Sequence, residues 1–208
     1  MPRFLSGLLI LLLAGFVRAQ EPTSFAQRLV DAAIRQTTET VRYDPAYFVI
    51  DYPGGDVPSD RGVCSDVVIR AYRSCGIDLQ VLVHEDMRAN FSSYPRLWDL
   101  SRTDRNIDHR RVPNLQTYLR RKGAGLPVTS QPEDYLPGDL VAWDLNGRGL
   151  THIGIVVPAP GSNDLYRGSS WIVHNIGSGP MREERLCEWK ILGHYRFGQG
   201  VRPNHPVP

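Results

Sequence analysis

A chain of 208 residues with 24 Lys and Arg against 22 Asp and Glu carries a formal charge of only +2 at pH 7, so its charge balance does not imply a nucleic-acid partner. Hydrophobic residues at 41% and charged residues at 22% fit a globular protein with one substantial core. The basic runs RNIDHRR and YLRRK stand apart and are not interleaved with aromatics, so they offer at most a weak attraction to an anionic polymer.

The first twenty residues, MPRFLSGLLILLLAGFVRAQ, combine a basic start at Arg3, an apolar core from Leu8 to Leu13 and small or medium residues at Val17 and Ala19. That is the pattern of a secretory signal peptide over residues 1–19. The apolar stretch is shorter than the ~20 residues a spanning helix needs, and no comparable stretch follows. The expected mature protein is exported to the periplasm or the extracellular space, with no stable membrane insertion. Its roughly 185 residues suffice for one domain, taken as 20–198, followed by a loose Pro-rich tail over 199–208.

Taken in chain order, TSFAQRLVDAAIRQ places Phe25, Leu29, Ala32 and Ala33 at helical spacing behind an N-cap at Thr23 or Ser24. The segment YDPAYFVIDYPGGDVPSDRG is broken by Pro45, Pro53-Gly54-Gly55, Pro58 and Gly62 and reads as a structured loop, with one extended piece from Tyr47 to Ile50. A buried helix follows, with Cys64 at its N-terminal end, Cys75 at its far end and Gly76 as its stop. A further helix is expected from Leu79 or Val81 to Phe91, and another over NLQTYLRRKG just after Pro113, its last turn basic. The character then changes to strands: residues 139–145, 152–157, 171–176 and 186–197, separated by Gly- and Pro-rich turns. Helices first and antiparallel strands second predict an α+β fold, with the N-terminal helices packed on a C-terminal sheet.

Three cysteines in an exported chain leave an odd one. Cys64 and Cys75 are about three helical turns apart, roughly 16 Å, too far for a disulfide. A Cys75–Cys187 bridge that leaves Cys64 free stays open. A thiol at a helix N-terminus meets unpaired N–H groups and the positive end of the dipole, which predicts a lowered pKa for Cys64. A nucleophilic cysteine needs a base from elsewhere in the chain, and His84, His109, His152, His174 and His194 are the candidates. His152 opens a strand after a Gly-rich turn, and His174 lies on the next strand. Cys64, His152 and His174 could also ligate zinc, but the chain holds no CxxC, HxxxH or HExxH to support that spacing.

The order of GVCSD at a helix start, PGDLVAW, HIGIVV and IVHN resembles the NlpC-type cell-wall cysteine peptidases of the papain-like superfamily. More narrowly, YPGGDVPSDRGVCSDVVIRAYR, VHEDM and NIDHRRVPN resemble an uncharacterised bacterial exported family, a domain of unknown function related to those peptidases. The resemblance implies a papain-like, NlpC-like fold, with Cys64 as nucleophile, His152 as general base and His174 as the residue that orients the base. Asn175 is the alternative for that last role. The sequence departs from the peptidase pattern DCSG, with Val63 before the cysteine and Asp66 two after it.

Asp66 therefore reads either as a first-turn carboxylate or as a contact to substrate or His152. Ser65, Tyr52 and Asp56 complete the expected pocket, with Tyr52 as a second oxyanion donor beside the Cys64 N–H. The expected activity is hydrolysis of an amide in peptidoglycan stem peptides or a related envelope substrate, by a monomer that uses no metal or other cofactor. The alternatives are an envelope-binding domain without turnover, and acyl transfer to an amine through the same residues.

Overall fold

The structure is a computed structural model that describes residues 23–206, so the expected signal peptide lies outside the described residues. Helix α1 (Phe25–Gln36) starts where the Ser24 hydroxyl accepts the Gln27 N–H at 3.1 Å, and it buries Leu29, Val30, Ala32 and Ala33. Helix α2 (Cys64–Ser74) buries Val67, Val68, Ile69, Ala71 and Tyr72. It is closed by Gly76, whose φ of 82° lets the Ile77 N–H turn back to the Tyr72 carbonyl at 3.0 Å. Asp78 then caps α3 (Leu79–Ala89) through the Gln80 N–H. Helix α4 (Val112–Arg121) includes Pro113 in its first turn instead of following it, because a first-turn residue has no intrahelical N–H bond to lose.

Short pieces supply the remaining strands. Residues 47–50, expected to be extended, join no strand. Instead β1 (Arg42–Tyr43) pairs in parallel with β2 (Arg61–Gly62), setting Tyr43 opposite Gly62. The main sheet has the order β3-β8-β4-β5-β6-β7 with every neighbouring pair antiparallel. Its strands are β3 (Gly125–Leu126), β4 (Leu140–Asp144), β5 (Thr151–Val156), β6 (Trp171–Asn175), β7 (Pro180–Glu184) and β8 (Lys190–Tyr195). The α+β pattern of helices before an antiparallel sheet is therefore present. Strand β7 is additional to the expected strands and starts at the last residue of the turn expected over 177–180; a proline opens it and PMREE is polar, both features tolerated on a sheet edge.

Strand alternation divides the sheet into two buried faces. Ile153, Ile155, Val157 and Val173 pack with Leu29, Val67, Val68 and Leu115 of the helices. Val141, Trp143, Val156 and Ile172 form a second cluster with Tyr135 and Leu186, closed by Trp189. The two histidines of β5 and β6 alternate onto this second side.

The tail is pinned where a loose segment was expected. The Asn204 and His205 N–H groups donate to the Gly76 carbonyl at 2.9 and 3.1 Å, and Asn204 Oδ1 accepts the Asp78 N–H at 2.7 Å. All three cysteines are free thiols: Cys75 is buried at the end of α2 and Cys187 is exposed in the turn before β8, so the Cys75–Cys187 bridge is not formed. Among the described residues no helix is long and apolar enough to cross a membrane.

Candidate active site

Cys64 is the first residue of α2, and the turn around it is fixed by its two successors. Val63, at the N-cap, has no polar side chain to offer the helix. The Asp66 carboxylate reaches back and accepts the Val63 N–H at 2.7 Å. The same carboxylate holds Arg110 in a two-pronged ion pair at 2.9 and 3.0 Å, with both side chains buried. Ser65 donates its hydroxyl to the Arg110 carbonyl at 2.7 Å. Both groups therefore clamp the 108–110 turn onto the start of α2, and neither is left to meet a substrate. Asn175, the alternative partner of His152, donates instead to the Gly62 carbonyl at 3.3 Å and steadies the chain entering Cys64.

The thiol is 5% exposed and lies against β5. Backbone N–H groups of Ile153, Ser65 and Cys64 lie close enough to the sulfur to favour its anion, as a helix start should. Burial outweighs them, and Asp66 adds to it, so the thiol is pushed up to about 11 from an ordinary 9.0. The lowered thiol pKa expected from the sequence is thereby reversed: the resting group is a protonated thiol.

His152 stands opposite Trp143 in the β4–β5 register, and its ring lies 5.8 Å from that of Trp143 and 6.0 Å from that of Trp189. This apolar enclosure, followed by the charge of His174, drives its pKa down to about 3 and keeps it neutral. His152 Nε2 and His174 Nδ1 are 2.8 Å apart, and His174 Nε2 is 2.9 Å from Glu183 Oε2. Arg185 Nε, in turn, lies 3.2 Å from Glu183 Oε1.

A carboxylate can only accept, so the His174 proton sits on Nε2 and its Nδ1 accepts. The His152 proton then sits on Nε2, which leaves Nδ1 of His152 as a bare base nitrogen. Because the two rings bond directly to each other, their nitrogens do not converge on a common point, as shared metal ligation would require.

Among the described residues, no hydrogen bond joins the thiol to either imidazole. The thiol packs in the helix-side cluster with Ile153, whereas the His152 and His174 rings lie with Trp143 and Trp189 of the other cluster, so the structure does not bring the thiol and the imidazoles into contact. What they share is β5, whose Ile153 N–H lies beside the sulfur. Gly154 provides space for the pair, since a Cβ there would come within 3.2 Å of the His174 Cβ and 3.3 Å of Trp143.

Cys64 opens into a cleft of about 280 Å³ whose walls include Tyr43, Trp98, Ile107, Arg111 and Thr151. Tyr52 and Asp56, expected here, lie elsewhere. Tyr52 packs edge-on against His84 of α3, ring centres 5.4 Å apart, and Asp56 pairs with Arg70 and Arg73 on the flank of α2. Tyr43 is the tyrosine that reaches the site. Burial raises its hydroxyl pKa, and the nearby Cys64 and Asp66 raise it further. The His109-Arg110-Arg111 run reads from sequence as a solvated or salt-bridged loop, with contact to an anionic substrate as the alternative. Sequence reasoning missed Tyr43, Glu183 and Trp98. Only Glu183 left a readable trace, as the alternating acidic position of an edge strand.

Two comparisons show what the chain is similar to. An uncharacterised protein of Escherichia coli strain K12, YijF, is 50% identical over 182 residues, covering 87% of this chain and 85% of its own. Residues 30–197, which contain every residue of the cleft and of the histidine chain, match the domain of unknown function DUF1287, and the protein belongs to that family.

Proposed function

We propose that the protein is an exported thiol hydrolase that cleaves an amide bond in peptidoglycan stem peptides or a related envelope substrate, acting as a monomer. The single observation that carries this reading is the His152–His174–Glu183 chain, which holds a bare Nδ1 on His152, on the same strand whose Ile153 N–H lies beside the Cys64 sulfur. The order of Cys64, His152 and His174 along the sequence, which resembles NlpC-type papain-like peptidases, adds to it.

In this mechanism, substrate entering the cleft brings its carbonyl to the sulfur. The thiol proton has to reach His152 Nδ1, which no contact in the resting structure joins to the sulfur. The reaction therefore requires substrate entry to bring the two within reach as the C–S bond forms, and no free thiolate accumulates beforehand. The tetrahedral oxyanion is held by the first-turn N–H groups of α2. The imidazolium then protonates the departing amine, leaving an acyl thioester. Water attacks the thioester with His152 again as base, releasing a carboxylic acid and restoring the thiol. His174 and Glu183 hold the productive tautomer throughout and stabilise the imidazolium.

The test is digestion of purified peptidoglycan fragments in ¹⁸O-water, read by mass spectrometry. The reading expects a new free amine and one ¹⁸O in the new carboxylate, both lost in Cys64→Ser. Amine exchange without ¹⁸O would make it an acyl transferase, and no covalent change with retained binding would make it an envelope-binding domain.

A further inference from the structure

We propose that Arg111, stacked under Trp98, is a subsite for a carboxylate that the substrate carries beside its scissile amide, an assignment that rests on the amide-hydrolase reading for its substrate class. Two guanidinium groups border the Cys64 cleft, and they are not equivalent. Arg110 is spent: Asp66 neutralises it from two directions, and its remaining Nη1 donates to the Ala46 carbonyl at 3.2 Å. The Arg111 side chain makes no hydrogen bond and no ion pair among the described residues, and its Nη1 is buried without an acceptor. Asp104 and Asp108 lie near enough to be felt by its charge but not within ion-pair distance. No acidic side chain lines the cleft among the described residues.

A buried guanidinium N–H with no acceptor is costly, and the cost disappears when a ligand supplies an oxygen. Trp98 decides the shape of that ligand. Its ring lies 4.2 Å from the Arg111 Cζ, covers one guanidinium face, and leaves the N–H edge as the direction of recognition. A planar carboxylate matches that edge with two parallel hydrogen bonds. Trp98 reaches this position from a backbone with φ of 61°, a conformation that a bulky residue rarely adopts, and its side is 51% exposed at the cleft mouth. The subsite thus lies on the same cleft as the sulfur, so that Arg111 would fix the register of an acidic peptide over Cys64.

The experiment compares the tripeptide L-alanyl-γ-D-glutamyl-diaminopimelate with the same peptide converted to carboxamides. The proposal expects the wild-type protein to prefer the carboxylate form by about 10- to 100-fold in kcat/KM, the range of one charge-assisted hydrogen-bond pair, expressed mainly in KM. In Arg111→Gln the preference disappears, in Arg111→Lys it is partly kept, and in the exposed Trp98→Ala it weakens. A ratio of two substrates measured on one protein is unaffected by the fraction folded.

Equal use of both peptides by the wild type, or a preference that survives Arg111→Gln, overturns the subsite and leaves the hydrolase reading standing. If neither peptide is cleaved, calorimetric binding of the same pair decides. A carboxylate preference lost in Arg111→Gln upholds the subsite while the hydrolase reading falls, and an absence of binding by the wild type overturns both.

Discussion

His152 Nε2 meets His174 Nδ1 at 2.8 Å, and the far nitrogen of His174 meets Glu183 at 2.9 Å. Three adjacent strands of one antiparallel sheet contribute one member each, so a single register shift anywhere between β5 and β7 would break the chain.

The first prediction concerns that chain. Glu183→Gln removes the group that sets both tautomers and is expected to lower kcat by about 10- to 100-fold, with little change in KM. The pH–rate profile should shift with it, because the imidazolium of His152 loses its stabilisation. A merely structural Glu183 would lower the amount of folded protein and leave the profile in place.

The thiol gives a prediction whose sign is opposite to the usual one for a catalytic cysteine. Burial raises Cys64 to about 11, so alkylation by iodoacetamide should be slow at neutral pH and climb through the alkaline range, with an apparent pKa above the ordinary 9.0. The same shift has a stability consequence. Above pH 9 the unfolded chain has released this proton while the folded chain retains it, so the Cys64 contribution is complete below pH 9 and is lost as pH rises through 11. Thermal melts of the wild type and Cys64→Ala between pH 8 and 11 should converge as pH rises.

At acid pH the buried histidines act in the other direction. His109 and His152 are both pushed down to about 3 by burial, so below pH 6.5 the unfolded chain takes up protons that the folded chain refuses. Stability is therefore expected to fall from pH 6.5 towards 3. Replacement of His109 by Gln should flatten that slope in a series of pH-dependent melts.

Asp66 anchors the start of α2 to Arg110, and removing one partner of a buried pair leaves the other uncompensated. Asp66→Ala is expected to cost about 3–5 kcal/mol in urea unfolding. The double change Asp66→Ala, Arg110→Met should recover part of that loss, which a pair of independent surface charges would not show.

The histidine and cysteine positions were legible because they depend on local signals: a helix beginning at Cys64, a strand opening at His152, and a strand ending just after His174. The rest depends on features that are not local. Tyr43 enters the site through a two-residue parallel bridge to Gly62, too short to leave a periodic pattern, whereas the more conspicuous Tyr52 is carried off to α3 by the loop. Glu183 was hidden because β7 opens on Pro180 and alternates charged residues on an edge. The direction of the thiol shift was misjudged because helix-end electrostatics can be read from a sequence, while the degree of burial belongs to the packed fold.

The central claim is that Cys64 and His152 act as one unit on an amide. Its most direct measurement is kcat/KM on a peptidoglycan fragment for Cys64→Ala, His152→Ala and the double variant, beside the wild type. Each single change is expected to cost at least about 100-fold, and the double variant to be no worse than the weaker single, as for residues serving one step. Cleavage that persists in either single variant, or losses that multiply in the double one, would contradict the claim.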